Sequence, residues 1–159
     1  MPSSAPRRSS PRAQPRSFRY TIDASVFVNA FNRHEPGYAE SLQVLAAIQE
    51  RGDPIIVPTL LLVEIASAVA RASDDTAGAI SYASATAALP HLTLVSLTPS
   101  ITARAAELAA TYRLRGADAL YLEVARRYAT TLLSRDDEQL TRGSTIAVCQ
   151  TPEAALSNR

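Results

Sequence analysis

The chain alternates short apolar runs with helix-length segments, and that alternation narrows its possible folds more than any other feature. Five runs read as strands: Arg19–Ile22, Ile55–Val57, Leu92–Leu97, Thr130–Ser134 and Thr145–Cys149. Helical segments separate them, at Ala24–Phe31, Tyr38–Arg51, Thr59–Arg71, Thr76–Leu89, Pro99–Leu114 and Ala117–Tyr128. A helical turn at Asp136–Leu140 and a short helix at Thr151–Leu156 complete the pattern. Tyr38–Arg51 carries Leu42, Leu45, Ala46 and Ile48 along one face. Gly52 stops that helix, Pro58 suits the start of the next, Pro90 ends a third, and Gly116 closes the one before it. Short apolar strands between helices predict an α/β fold. Its parallel sheet would be covered on both faces and joined by right-handed crossovers.

Composition removes several chemistries. All 16 basic residues are arginine. Without lysine there is no Walker phosphate loop, no Schiff base and no Ser–Lys or Tyr–Lys pair. GxSxG and GxGxxG are absent too, which removes the nucleophile elbow and the dinucleotide fingerprint. One cysteine, Cys149, and two histidines, His34 and His91, cannot close a zinc site or a disulfide within the chain. Carboxylates remain, and carboxylates suit hard cations.

Charge divides the chain at residue 17. Residues 1–17 hold four arginines, four prolines, five serines and no acid, and read as a disordered basic tail. Residues 18–159 read as a single domain with twelve arginines against fifteen acids, a net of −3. The tail has no apolar stretch of a secretory leader, and no window approaches a membrane span, so a cytoplasmic location is expected.

Four acids resist a bland reading. Asp23 follows the first strand in YTIDASVFVNAF, where open α/β sheets form their sites; a helix cap explains it equally well. Glu64 interrupts PTLLLVEIASAVAR, the most apolar helix, with no basic partner at i±3 or i±4. It either lies on a narrow solvent stripe with Ser67 and Arg71 or points into a cleft. Asp118 opens a helix in GADALYLEVARRY, and Asp136 follows the strand in LLSRDDEQL; both also complement a helix dipole. Parallel topology would bring Asp23 and Asp136 to one sheet edge. Clustered carboxylates repel in a low dielectric, and oxygen-only ligation selects Mg²⁺ or Mn²⁺ for metal-assisted phosphodiester hydrolysis.

These segments, IDASVFVNAF, VPTLLLVEIASAVAR, GADALYLEVARRY and LLSRDDEQL, together resemble the PIN domain, and most closely the toxin half of VapBC toxin–antitoxin pairs. The resemblance covers roughly Arg19 to Val148. It implies a three-layer α/β/α sandwich and an endoribonuclease dependent on Mg²⁺ or Mn²⁺, with Asp23, Glu64, Asp118 and Asp136 as its acids. It also implies an RNA substrate, a small antitoxin that blocks the cleft, and a homodimer. The basic tail and the absence of lysine depart from the family pattern.

The chemistry assigns roles as follows. Asp23, Asp118 and Asp136 would hold a cation, and Glu64 a second ion or the attacking water. Ser25 and Ser134 would support these ligands, or simply cap helices and turns. Arg135 is the leading RNA contact, followed by Arg113, Arg115, Arg126 and Arg127, each of which also reads as a solvated surface group. Tyr20, Tyr121 and Tyr128 read as packing groups, and Cys149 as a buried thiol. A receiver or dehalogenase-like phosphoacceptor fits poorly, because Ser25 stands where the latter needs Asp and the former needs Lys. A DNA or RNA-processing nuclease of the same fold, or a non-catalytic nucleic-acid-binding module, remains an alternative.

Overall fold

In the computed structural model, residues 18–157 are described; the basic tail expected over 1–17 lies outside them. In chain order the elements are β1 (Tyr20–Ile22), α1 (Ala24–Phe31), α2 (Tyr38–Arg51), β2 (Ile55–Pro58), α3 (Leu60–Ser73) and α4 (Thr76–Ala87). They continue with β3 (Leu92–Val95), α5 (Pro99–Tyr112), α6 (Gly116–Tyr128), β4 (Thr131–Leu133), α7 (Asp137–Gly143), β5 (Cys149–Gln150) and α8 (Pro152–Ser157). All sheet pairs are parallel, in the order β3-β2-β1-β4-β5. Helices flank this sheet in an α/β/α sandwich, as expected.

The strands are buried because both faces are covered. Ile22, Ile55, Val57, Leu132 and Leu133 are fully enclosed, together with Val26, Phe27, Leu61, Ile65 and Leu122 from the helices. Thr21 is a polar exception in the central strand. Its hydroxyl donates to the Ile56 carbonyl at 2.8 Å and lies 2.6 Å from the Thr130 hydroxyl, so its burial leaves nothing unsatisfied.

Strand order positions the site. From β1 the chain moves outward through β2 and β3, then returns to the other side of β1 as β4. The β1/β4 pair is therefore the point where direction reverses, and a crevice opens beyond the carboxyl ends of those strands. Ile22 is in register with Leu133, which sets the segment after β1 beside the segment after β4.

Several boundaries differ from expectation, each for a local reason. β3 ends at Val95 rather than Leu97, because its partner β2 ends at Pro58, in register with Val95. The strand expected over Thr145–Cys149 is reduced to Cys149–Gln150. Ile146 and Ala147 instead form a turn, donating backbone N–H groups to the Gly143 carbonyl at 2.8 and 3.1 Å. Gly116 does not close α5. Arg113 closes it in a left-handed conformation (φ 55°), and Gly116 begins α6. Cys149 is half-buried rather than enclosed, and burial pushes its thiol up to about 11.

Candidate active site

Four segments far apart in sequence meet at the crevice. Asp23 and Ser25 come from the start of α1, Glu64 from the middle of α3, Asp118 from the first turn of α6, and Asp136 from the turn before α7. Together with Val28, Ser67, Arg71 and Arg115 they line a cleft of about 370 Å³. The two readings of Glu64 therefore merge. Its stripe with Ser67 and Arg71 does meet solvent, and that solvent is the cleft.

Each acid is held by its own backbone context. Asp23 caps α1, accepting from the Ser25 N–H at 2.8 Å, and its N–H donates to the Leu133 carbonyl at 2.9 Å. Asp136 caps α7, accepting from the Gln139 N–H at 2.9 Å. The capping and cleft-facing readings are compatible, because a cap engages one oxygen and leaves the other to the cleft, where Asp136 Oδ2 meets Arg115 at 3.1 Å. Ser134 accepts from the Asp136 N–H at 3.0 Å, and Ser25 accepts from the Arg135 N–H at 3.1 Å. The two serine hydroxyls lie 3.5 Å apart, lacing the end of β4 to the start of α1.

The electrostatics are unfavourable in the absence of a counter-ion. Burial pushes Asp118 up to about 6, and Asp136 and Asp23 push further in the same direction; Arg115 opposes them. Asp23 is likewise raised by burial, although Ser25 and the neighbouring Gln139 amide favour its ionised form. Glu64 is raised by burial and by Asp23, against a hydrogen bond donated by the Tyr121 hydroxyl to its Oε2 at 2.6 Å. Arg115 pairs with Asp136 at 3.1 Å and with Glu138 at 3.6 Å, the cleft's one carboxylate-paired arginine. Among the described residues, no three of His, Cys, Asp and Glu draw close enough to enclose an ion alone. The donor set still suits Mg²⁺, which keeps several waters and binds through one or two carboxylates plus substrate phosphate. A second observation agrees. Gln139 is fully buried with its amide towards Asp23, yet neither amide atom reaches regular hydrogen-bond geometry, so its polar capacity beside this cluster is not fully used.

The predicted arginines separate. Arg115 lines the cleft. Arg135 turns away, donating from Nε to Ser41 Oγ at 2.6 Å and from one terminal nitrogen to the Gly37 carbonyl at 2.5 Å and to Glu153 at 2.8 Å. It ties the post-β4 turn to α2 and α8 and reaches no cleft atom. Hydrogen bonds from its own backbone, Arg135 and Thr151 outweigh burial and hold Glu153 below the usual carboxylate range. Arg113 is exposed outside the cleft, and Arg126 and Arg127 clasp the buried Glu123. Tyr121 and Gln139 are the residues missed by sequence reasoning. Tyr121 lies at i+3 from Asp118 on the same helix, a spacing that was visible in principle.

The PIN domain family model matches residues 20–143. The chain is a PIN domain. Solved structures of the same fold include VapBC2 from Rickettsia felis bound to a DNA fragment from its promoter. That match has a TM-score of 0.63 and 16% identity, covering 84% of this chain and 98% of that one. VapC20 of Mycobacterium tuberculosis, a sarcin–ricin-loop-cleaving toxin, aligns with a TM-score of 0.68 and 15% identity over 78% of this chain and 95% of its own. A toxin–antitoxin complex from Klebsiella pneumoniae aligns with a TM-score of 0.61 and 18% identity over 84% and 97%. No curated protein sequence matches the chain. No helix of this PIN domain, among the described residues, is long and apolar enough to cross a membrane.

Proposed function

We propose that this PIN domain is an endoribonuclease dependent on Mg²⁺ or Mn²⁺, and the toxin of a toxin–antitoxin pair. One observation carries the reading: Asp23, Glu64, Asp118 and Asp136 line a single cleft at the sheet's switch point with little countercharge. Three of them are destabilised as anions there. Asp23 and Asp118 would hold the cation, with Asp136 as direct or water-mediated ligand. When bound, it would neutralise charge on the phosphoryl oxygens and ease attack by water. Tyr121 occupies Glu64 Oε2, which leaves Oε1 to take the proton of the attacking water. Arg115 neutralises substrate phosphate, and Ser25 and Ser134 keep the two ligand turns in register. Structural neighbours that are toxin–antitoxin and VapBC complexes support an antitoxin partner that covers the cleft.

Cleavage of a mixed structured-RNA pool tests this. Wild type is compared with Asp23→Ala and Asp118→Ala, each in Mn²⁺ and in EDTA. Wild type should cut only with the metal, and each variant should lose about 10³-fold, several kcal/mol of transition-state stabilisation. Intact RNA after incubation with folded, antitoxin-free wild type would sink the ribonuclease reading. Cutting of DNA in its place would select the alternative substrate.

A further inference from the structure

We propose that the acidic cleft continues along the groove between α1 and α3 into a second subsite, which binds the backbone and a base of single-stranded RNA. The inference rests on the ribonuclease reading and extends it to residues beyond the acidic cluster. A hollow of about 380 Å³ lies at the far ends of the two helices and includes Phe31, Arg33, His34, Tyr38 and Ser73. Val28 of α1 and Arg71 of α3 line the cleft, while Phe31 and Ser73, one turn or less further on, line the hollow. From Glu64 to Ser73 the helix rise gives roughly 13 Å, a stretch that a short run of single strand covers.

The chemistry of this hollow matches a nucleic-acid strand. Among the described residues Arg19, Arg33, Arg71 and Arg113 make no ion pair with a carboxylate, and two of the four flank this groove. Arg71 donates one N–H to Ser67 Oγ on its own helix, and the remaining N–H groups of the two guanidiniums, unclaimed by any carboxylate, are left for phosphate. Phe31 is 42% exposed, and its ring packs on Tyr82 with centroids 4.8 Å apart, so it is supported from behind and open to a base.

The loop between α1 and α2 is also preformed. Asn29 donates to the Pro36 carbonyl at 3.0 Å and Asn32 to Glu35 Oε1 at 3.1 Å, while the His34 N–H donates to Asn32 Oδ1 at 3.2 Å. Glu35 is thereby engaged by the asparagines, and Arg33 and His34 are left exposed. Asp74, exposed just past Ser73, bounds the subsite with negative charge.

The test measures binding of a fluorescent single-stranded RNA to full-length Asp118→Asn protein, with and without Arg33→Ala or Phe31→Leu. Arg104→Ala on α5, outside the groove, serves as the charge control. Arg33→Ala should weaken binding about tenfold and lower the salt slope by about 0.7, the loss of one single-strand phosphate contact. Phe31→Leu should weaken it about fivefold with the slope unchanged. Arg33→Lys should restore the slope. Affinity and slope equal to those of the control would overturn the subsite, and so would an effect seen only on self-association by sedimentation. Cleavage by otherwise wild-type Arg33→Ala separates the two readings. If it still cuts a trinucleotide as wild type does but cuts long RNA about tenfold more slowly, both stand. If wild type cuts nothing while Arg33-dependent binding persists, the nuclease reading fails alone.

Discussion

Helix α6 carries two buried acids five residues apart, and the fold treats them in opposite ways. Glu123 is fully enclosed and clasped by two arginines. Arg126 donates to both of its oxygens at 2.9 and 3.1 Å, and Arg127 to Oε1 at 2.9 Å. Arg127 also reaches Ser100, tying α6 to α5. Asp118 is 8% exposed and faces three other acids, with Arg115 as its nearest relief. A carboxylate kept for structure has its charge cancelled by the chain itself. One whose charge the chain leaves uncancelled is kept for something that arrives later.

The largest effect should come from disturbing the Glu123 end of α6. Arg126→Ala with Arg127→Ala strips Glu123 of both partners and leaves a charge with no access to water. The double variant should lose about 3–5 kcal/mol in urea denaturation. Glu123→Leu, which removes the charge and keeps the volume, should cost far less. Equal losses in the two cases would mean that packing, not charge, holds this part of α6 against α5.

The open half responds to cations and pH. Millimolar Mg²⁺ should stabilise wild type by about 1–3 kcal/mol, and Asp118→Asn should abolish the shift. Without metal the same variant should be more stable than wild type. Asp118 titrates near 6 in the folded chain against an ordinary value of 3.8, so the folded state holds the extra proton between those limits. This group's contribution to stability is therefore full below about pH 4 and is lost as pH rises towards 6. The wild-type minus Asp118→Asn difference in thermal midpoint, scanned from pH 4 to 7 in EDTA, should widen in the variant's favour across that window. A flat difference would show that Asp118 is adequately paired without a cation.

These contrasts explain how much could be read in advance. β1, α1 and the interrupting Glu64 were legible because burial imposes an apolar background against which a carboxylate stands out. Asp118 and Asp136 were legible as helix-start acids whose cleft role needed the topology, because a cap and a ligand look alike in one dimension. The direction of Arg135 is not legible, because sequence adjacency to Ser134 and Asp136 says nothing of where a side chain points. Successive residues after a strand diverge, and this one points towards α2 and α8. Gln139 was invisible, since an exposed-looking amide in a DDEQ run becomes fully buried only when α7 packs beneath Asp23.

Tyr121 offers the finest probe of the open half. Its ring is fully buried, and its hydroxyl spends its proton on Glu64 Oε2 at 2.6 Å. That bond favours the ionised carboxylate against burial and Asp23. Tyr121→Phe keeps the ring's packing and removes only the hydroxyl, so stability should fall by about 1 kcal/mol. The Glu64 carboxyl should then titrate higher still. If Glu64 is the base, the acid limb of the pH–rate profile should move to higher pH. Cutting would then fall severalfold on the acid limb and approach wild type on the alkaline side of it. A uniform loss at every pH would instead assign Tyr121 to packing alone, and Glu64 would lose its claim to the proton.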